Sequence, residues 1–351
     1  MTTHRKILAS IAALTLASGM FIAAPAAARS DVNGTVCVVA DPAGFDDAAF
    51  NSEVLAGAER ASRRLQVGLV TADPGTEAGI ANAIDGWAVS GECDLIIGVG
   101  FIVGTVTEPY LLDYPDQRFA GIDHVFLNPG NAASVLFESD QPAFMAGYVA
   151  AAASATGKVG TYGGLPFPSV TDFMNGYALG VDYFNAQTGN TVEVLGWDVA
   201  TQSGLFSFDF TNPALGFSIT EELFDQGADT VFPVAGATGN GTYDAAVERK
   251  ASGDEVRVVY PDFDPFKMFD RDRAKVLLTS TIKNVDVATY RQIEALVDGS
   301  WASGLVFENL ATGGVELAPF HRANNQVPGF VRPALRDIRA GIVNGTIPTL
   351  P

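Results

Sequence analysis

The chain has 351 residues, 17% charged and 48% hydrophobic, and a formal net charge of −19. That length accommodates two ordinary domains with sizeable cores, and the composition excludes a disordered chain. The acidic balance excludes nucleic acid as a partner, because phosphate binding needs clustered Lys and Arg.

The first 28 residues read as an export signal. His4, Arg5 and Lys6 form a basic start, Ile7 to Ala24 is apolar, and Pro25-Ala26-Ala27-Ala28 ends in a small-x-small pattern suited to cleavage after Ala28. A membrane anchor is the alternative, since the apolar run nearly reaches spanning length. Cleavage removes two basic residues and no acid, which takes the charge to −21. The cleavage point carries no cysteine for lipid attachment, so the mature protein is expected to be soluble, periplasmic or secreted.

The run Val36 to Ala40 is apolar and β-branched, which predicts a buried parallel strand. Val54, Leu55, Ala58 and Ala61 recur at helical spacing within Ser52 to Ala61. Between them lies a turn, Asp41 to Asn51, holding Pro42, Gly44, three carboxylates, Phe50 and Asn51. Ligands of open α/β sheets bind beyond the carboxyl ends of the strands, so this turn is the first candidate site. Its Asp46 and Asp47 also suit a helix cap. Further strands are expected at 66–70, 95–99, 117–123 and 133–137, with helices at 77–89 and 100–112 between them. Cys37 and Cys93 lie at the start of the first strand and just before the strand at 95–99. In a doubly wound sheet those strands are neighbours, so the two cysteines suit a disulfide; they are too few and too far apart for a zinc cluster.

A second round follows. Helices are expected at 144–155, 170–185 and 213–226, with strands at 158–162, 192–197 and 229–234. The last third holds strands at 256–260 and 275–280 and a helix at 287–297. A hairpin is expected over 304–314, turning at Gly313-Gly314, and then a closing helix over 330–343. Alternating strands and helices predict two α/β lobes of similar plan, each a doubly wound parallel sheet, with a ligand cleft between them. His124 and His321 have no Cys or His partner at ligand spacing and read as ordinary surface or loop residues. No Ser–His–Asp arrangement is present, and no cofactor or metal site is expected.

Nine strings in order through the mature chain carry a resemblance. They include Asp41 with Gly44-Phe45-Asp46-Asp47 and Phe50-Asn51, Asp94-Leu95-Ile96-Ile97-Gly98-Val99-Gly100-Phe101, and Tyr114 to Ala120. Ala146-Gly147-Tyr148-Val149, Asp225-Gln226-Gly227-Ala228-Asp229, Val234 to Gly239, Ser280 to Lys283, and Gly313-Gly314-Val315 continue the series. The chain resembles the basic membrane protein family of substrate-binding proteins, whose best-known members are purine nucleoside receptors feeding ABC importers. The resemblance implies a type I periplasmic-binding-protein fold, divided here into a first lobe of 35–138 plus about 262–300 and a second of 142–260 plus about 304–351. It implies a small-molecule ligand, most simply a purine nucleoside, and permease subunits in the membrane as the partner of a monomer. It also implies residue roles. Asp41 and Asn51 face the base, Phe50 stacks on it, and Phe210 is the match to the opposite wall, with Phe206 and Phe208 as alternatives. Gly236, Asp262 and Lys283 fall where the family holds the ribose, and Asp123 lies near the cleft.

The chemistry of those residue types suits that ligand. Aromatic rings bind a flat base by stacking and area burial, and carboxylates accept its N–H groups or the ribose hydroxyls. The candidate turns hold no cluster of Lys or Arg, which disfavours a phosphorylated ligand. Two other readings remain. Asp41 to Ala48 is similar to the acidic opening motif of calcium-dependent nucleoside hydrolases, although Val39 stands where that motif has another acid and Ala43 shifts its register. A ligand-sensing partner of a chemoreceptor would use the same fold.

Overall fold

The computed structural model describes residues 33–47 and 50–351. The expected export signal, residues 1–28, lies outside them. The described chain opens with β1 (Thr35–Val39), α1 (Phe50–Leu65), β2 (Gly68–Ala72), α2 (Glu77–Ser90), β3 (Leu95–Val99), α3 (Gly100–Asp113), β4 (Phe119–Ile122) and β5 (Ala132–Phe137). β1 and β3 are apolar at nearly every position, and both are buried from Val36 to Val39 and from Leu95 to Val99. That is what a strand covered on both faces requires. They pair in parallel with Cys37 opposite Ile96, and Cys37 forms a disulfide with Cys93, the Cα atoms 5.8 Å apart. α2 buries Ile80, Ile84 and Trp87 along one stripe, is capped by Thr76, and stops at Gly91, whose φ of 62° a side chain would resist.

The chain then passes to a second sheet. α4 (Asp140–Ala153) and β6 (Lys158–Gly163) are followed by α5 (Pro168–Thr188), β7 (Glu193–Leu195), the short pair β8 (Trp197–Asp198) and β9 (Ser203–Gly204), and α6 (Pro213–Asp225). β10 (Thr230–Val234), α7 (Asn240–Ala251), β11 (Arg257–Tyr260), α8 (Arg273–Val276) and β12 (Leu277–Lys283) complete its parallel part. α4 lies tight on α5 because small residues face each other: a Cβ on Gly147 would strike the Tyr177 carbonyl oxygen, and one on Gly180 that of Phe144. The close-packed interior leaves no slack for either.

The final stretch crosses twice more. α9 (Val285–Asp298) packs on α1 and leads into β13 (Gly304–Glu308), and β14 (Val315–Leu317) and α10 (Val331–Val343) return to the second lobe. The two six-stranded sheets share one plan, β2-β1-β3-β4-β5-β13 and β7-β6-β10-β11-β12-β14. All neighbours run parallel except β14 on β12. In each sheet the winding reverses once, between β1 and β3 and between β6 and β10. These are the topological switch points, where the flanking turns diverge and open a crevice.

The last third differs from expectation in its lobe membership. The strand at 277–283, expected with the first lobe, is hydrogen-bonded into the second sheet, and 304–308, expected with the second lobe, is the parallel edge of the first. No hairpin forms over 304–314. Asn309 and Thr312 instead build a hydrogen-bonded turn that carries the chain across, with Gly314 pressed on Glu308. The Gly-Gly pair marks a crossing and not a reversal. A five-residue strand with alternate burial fits either sheet edge, so its pattern alone cannot choose.

Candidate functional site

The turn after β1 is built around one asparagine. Asn51, at the second position of α1, is buried, and its Nδ2 donates to Asp41 Oδ1 at 2.9 Å and to Asp47 Oδ2 at 3.0 Å. The Asp41 N–H donates to Asn51 Oδ1 at 3.0 Å, and the Ala43 N–H to Asp41 Oδ1 at 2.8 Å. Asp47 accepts the Asn51 and Ser52 N–H groups, so it caps α1. Asp41 Oδ2 accepts no hydrogen bond among the described residues and lies beside Gly100, where an added Cβ would sit 3.7 Å from it and 3.6 Å from Phe50 Cε1. Gly100 has φ of 81°, which only glycine takes freely, so α3 starts directly against Asp41 and Phe50. Burial pushes the Asp41 carboxyl above its usual range, against the hydrogen bonds from Ala43 and Asn51 that pull it down. A carboxylate raised in this way holds its charge at the expense of solvation and accepts strongly from a donor that arrives.

A second cluster forms around Lys283 at the end of β12. Its Nζ lies 2.7 Å from Asp123 Oδ2 and 3.6 Å from Asp262 Oδ1, with 4% of the side chain exposed. Asp123 follows β4 in the first lobe, and Asp262 follows β11 in the second, so the lysine ties the lobes together. Both aspartates are left-handed, at φ of 64° and 69°. Aspartate tolerates that conformation better than most residues, and strained backbone of this kind concentrates at functional sites. Burial alone lowers the Lys283 ammonium; the two carboxylates outweigh it and hold it above its ordinary value. Burial pushes the Asp262 carboxyl up, opposed by Lys283. The Lys283 ammonium is also 5.9 Å from the Phe50 ring centre, so this cluster abuts the first one.

The second lobe presents aromatic rings at its own switch point. Phe210 packs on Gly164, just beyond β6, and on Gly236, just beyond β10. Its carbonyl accepts the Thr238 N–H. The neighbouring candidates point elsewhere: Phe206 packs on Gly163 and edge-on to Trp197, and Phe208 is 71% exposed. Asp41, Phe50 and Asn51 therefore stand at the β1/β3 switch, Phe210 and Gly236 at the β6/β10 switch, and Asp123, Asp262 and Lys283 between the lobes.

Sequence reasoning missed several neighbours. Phe101 and Phe167 stack on each other across the lobes, ring centres 4.6 Å apart, and the signal that selected Asp41, position at a strand's carboxyl end, applies equally to both. Asp172 on α5 is pushed up to about 6 by burial and Asp140, and Lys283 pulls it down. His124 is a correction: it is 6% exposed, not a surface residue, because Gly104 leaves room for its ring against α3. Burial lowers its pKa, and Glu108, 3.6 Å from its Nε2, opposes that. His321 also does more than expected of a loop residue. It lies 2.7 Å from Asp264 Oδ2 and stacks flat on Phe266, pinning the loop that carries Asp262. Away from the cleft, a surface hollow of about 460 Å³ lies by β8 and β9, lined partly by Trp197, Asp198, Glu222 and Gln226.

A family model described as ABC transporter substrate-binding protein, PnrA-like, matches residues 35–348. The chain belongs to this Bmp family. Among relatives, an uncharacterised lipoprotein of Pyrococcus horikoshii is 29% identical over 285 residues, 80% of this chain and 67% of that one. The ABC transporter nucleoside-binding protein BmpA of Lactococcus lactis is 28% identical over 264 residues, 73% of this chain and 71% of that one. The crystal structure of an ABC transporter solute-binding protein from Aeropyrum pernix is similar at a TM-score of 0.79 and 27% identity, covering 90% of this chain and 92% of the other. As a Bmp protein the chain has the two-lobed periplasmic-binding-protein architecture and is an ABC transporter substrate-binding protein. Among the described residues, no helix is long and apolar enough to cross a membrane.

Proposed function

We propose that this Bmp protein is exported, closes as a monomer around a purine nucleoside, and delivers it unchanged to the permease of an ABC importer. The observation that carries the reading is the meeting of two switch points. One offers a buried carboxylate with an open oxygen, Asp41, beside the ring of Phe50. The other offers Phe210 on two glycines. Flat rings suit a flat base, and Asp41 and Asp262 suit its N–H groups and the ribose hydroxyls. The name of the Lactococcus lactis relative supports the same ligand class.

Charge argues for an unphosphorylated ligand. Lys283 is already paired with Asp123 and Asp262, so a phosphate entering the cleft would compete with two carboxylates for that one ammonium. Geometry argues against the hydrolase reading. Both Asp47 oxygens accept backbone amides of α1, and Asp41 Oδ1 accepts the Ala43 N–H and the Asn51 side-chain amide, so three oxygens of the acidic motif are already held by amide donors, which disfavours their gathering on one ion. Calorimetric titration with adenosine, guanosine, inosine, ribose and inosine 5′-monophosphate tests the proposal. At least one nucleoside should bind, with the monophosphate weaker by about a hundredfold. Equal binding of the monophosphate, or release of free base from inosine, contradicts it.

A further inference from the structure

We infer that Phe101 and Phe167 form an aromatic clasp across the cleft that sets how slowly a ligand leaves, separate from the groups that recognise it. The inference rests on the cleft being the ligand site. Phe101 is the second residue of α3, next to Gly100, at the carboxyl end of β3 in the first lobe. Phe167 precedes Pro168, which opens α5 beyond β6 in the second lobe. Their rings stack at 4.6 Å and 21°, and among the described residues this is the one ring pair that joins the lobes. Phe101 is 42% exposed, so its own lobe does not bury it. Phe167 continues the row to Phe210 at 6.4 Å, and on the other side Gly100 abuts Phe50. The pair thus spans the gap between the two proposed stacking walls.

The three chain crossings follow β5, β12 and β13, and the clasp joins β3 to β6, which no crossing links. Rotation of the lobes about the crossings separates two rings that have no covalent tie. The pair carries no polar atom to read a base or a sugar, so it contributes after the lobes have met. An offset-stacked pair adds roughly the energy that corresponds to a tenfold change in a rate.

Stopped-flow binding and displacement, with whichever of adenosine, guanosine and inosine binds tightest as the probe, tests this. Phe101→Ala and Phe167→Ala should each raise the dissociation rate by about tenfold and leave the association rate unchanged. The double variant should be no faster than the faster single, because either change removes the same contact. The ligand-free melting temperature of Phe101→Ala should move little, since that residue is 42% exposed and lies outside the core. Unchanged dissociation in both single variants overturns the clasp and leaves the ligand site standing. If the wild type binds none of adenosine, guanosine and inosine, the nucleoside reading fails and the clasp is judged without ligand. Small-angle scattering of the Phe101→Cys/Phe167→Cys double variant, oxidised and reduced, then decides. A cross-link that forms and shrinks the radius of gyration supports closure at this pair; no cross-link, or no change in radius, overturns it.

Discussion

The two halves of the cleft are built by opposite means. The first-lobe turn is local: Asp41, Asp47 and Asn51 hydrogen-bond one another within ten residues, and α1 begins on them. The Lys283 cluster is long-range: its main partner, Asp123, is 160 residues away in the other lobe. A local network can form before the lobes meet, whereas the lysine finds its partners only in the assembled molecule. Damage to the first should therefore appear mainly in affinity, and damage to the second mainly in stability.

The largest expected effect sharpens that contrast. Lys283→Met leaves Asp123 and Asp262 facing each other without a cation, and breaking a buried pair in this way costs about 3–5 kcal/mol. Urea denaturation should show that loss. A stability change as small as that of an exposed ion pair would remove the long-range half of the comparison.

The next concerns the first crossing. Asp140, at the start of α4, is bonded to Thr349 near the chain's end and is pushed up to about 6, chiefly by burial. A carboxyl raised above its unfolded value of 3.8 contributes its stability below about pH 4 and loses it as pH rises through about 6. The wild type should therefore lose about 2–3 kcal/mol between pH 4 and pH 7 relative to Asp140→Asn. Parallel stability profiles for the two proteins would show that Asp140 ionises normally.

Asp41→Ala removes an acceptor without emptying the core. It should weaken nucleoside binding by about 1.5–3 kcal/mol while the ligand-free protein melts nearly as the wild type does. A fall in stability with affinity kept would reverse the roles of the two halves. The smallest effect separates two rings. Phe210→Ala should cost about 1 kcal/mol of binding beyond lost contact area, and Phe206→Ala, packed on Trp197, should cost stability and leave affinity alone.

The same contrast explains what the sequence made legible. β1 and β3 in the first lobe and β10 in the second carry nearly unbroken apolar runs, and Asp41 to Asn51 concentrates its chemistry in one turn, so both could be read residue by residue. The family resemblance supplied the cross-lobe candidates Asp123, Asp262 and Lys283, which spacing alone could not connect. What stayed hidden depends on the assembled fold. β13 carries no mark of the sheet it joins, His124 is buried only because Gly104 lies beneath its ring, and Phe101 and Phe167 meet only when the lobes do.

On the proposed function, one ligand touches both switch points at once. Amide hydrogen exchange with and without inosine tests it most directly. Simultaneous protection is expected of the turns after β1 and β3 in the first lobe and after β6, β10 and β11 in the second. Protection confined to one lobe, or to the hollow by β8 and β9, would contradict it.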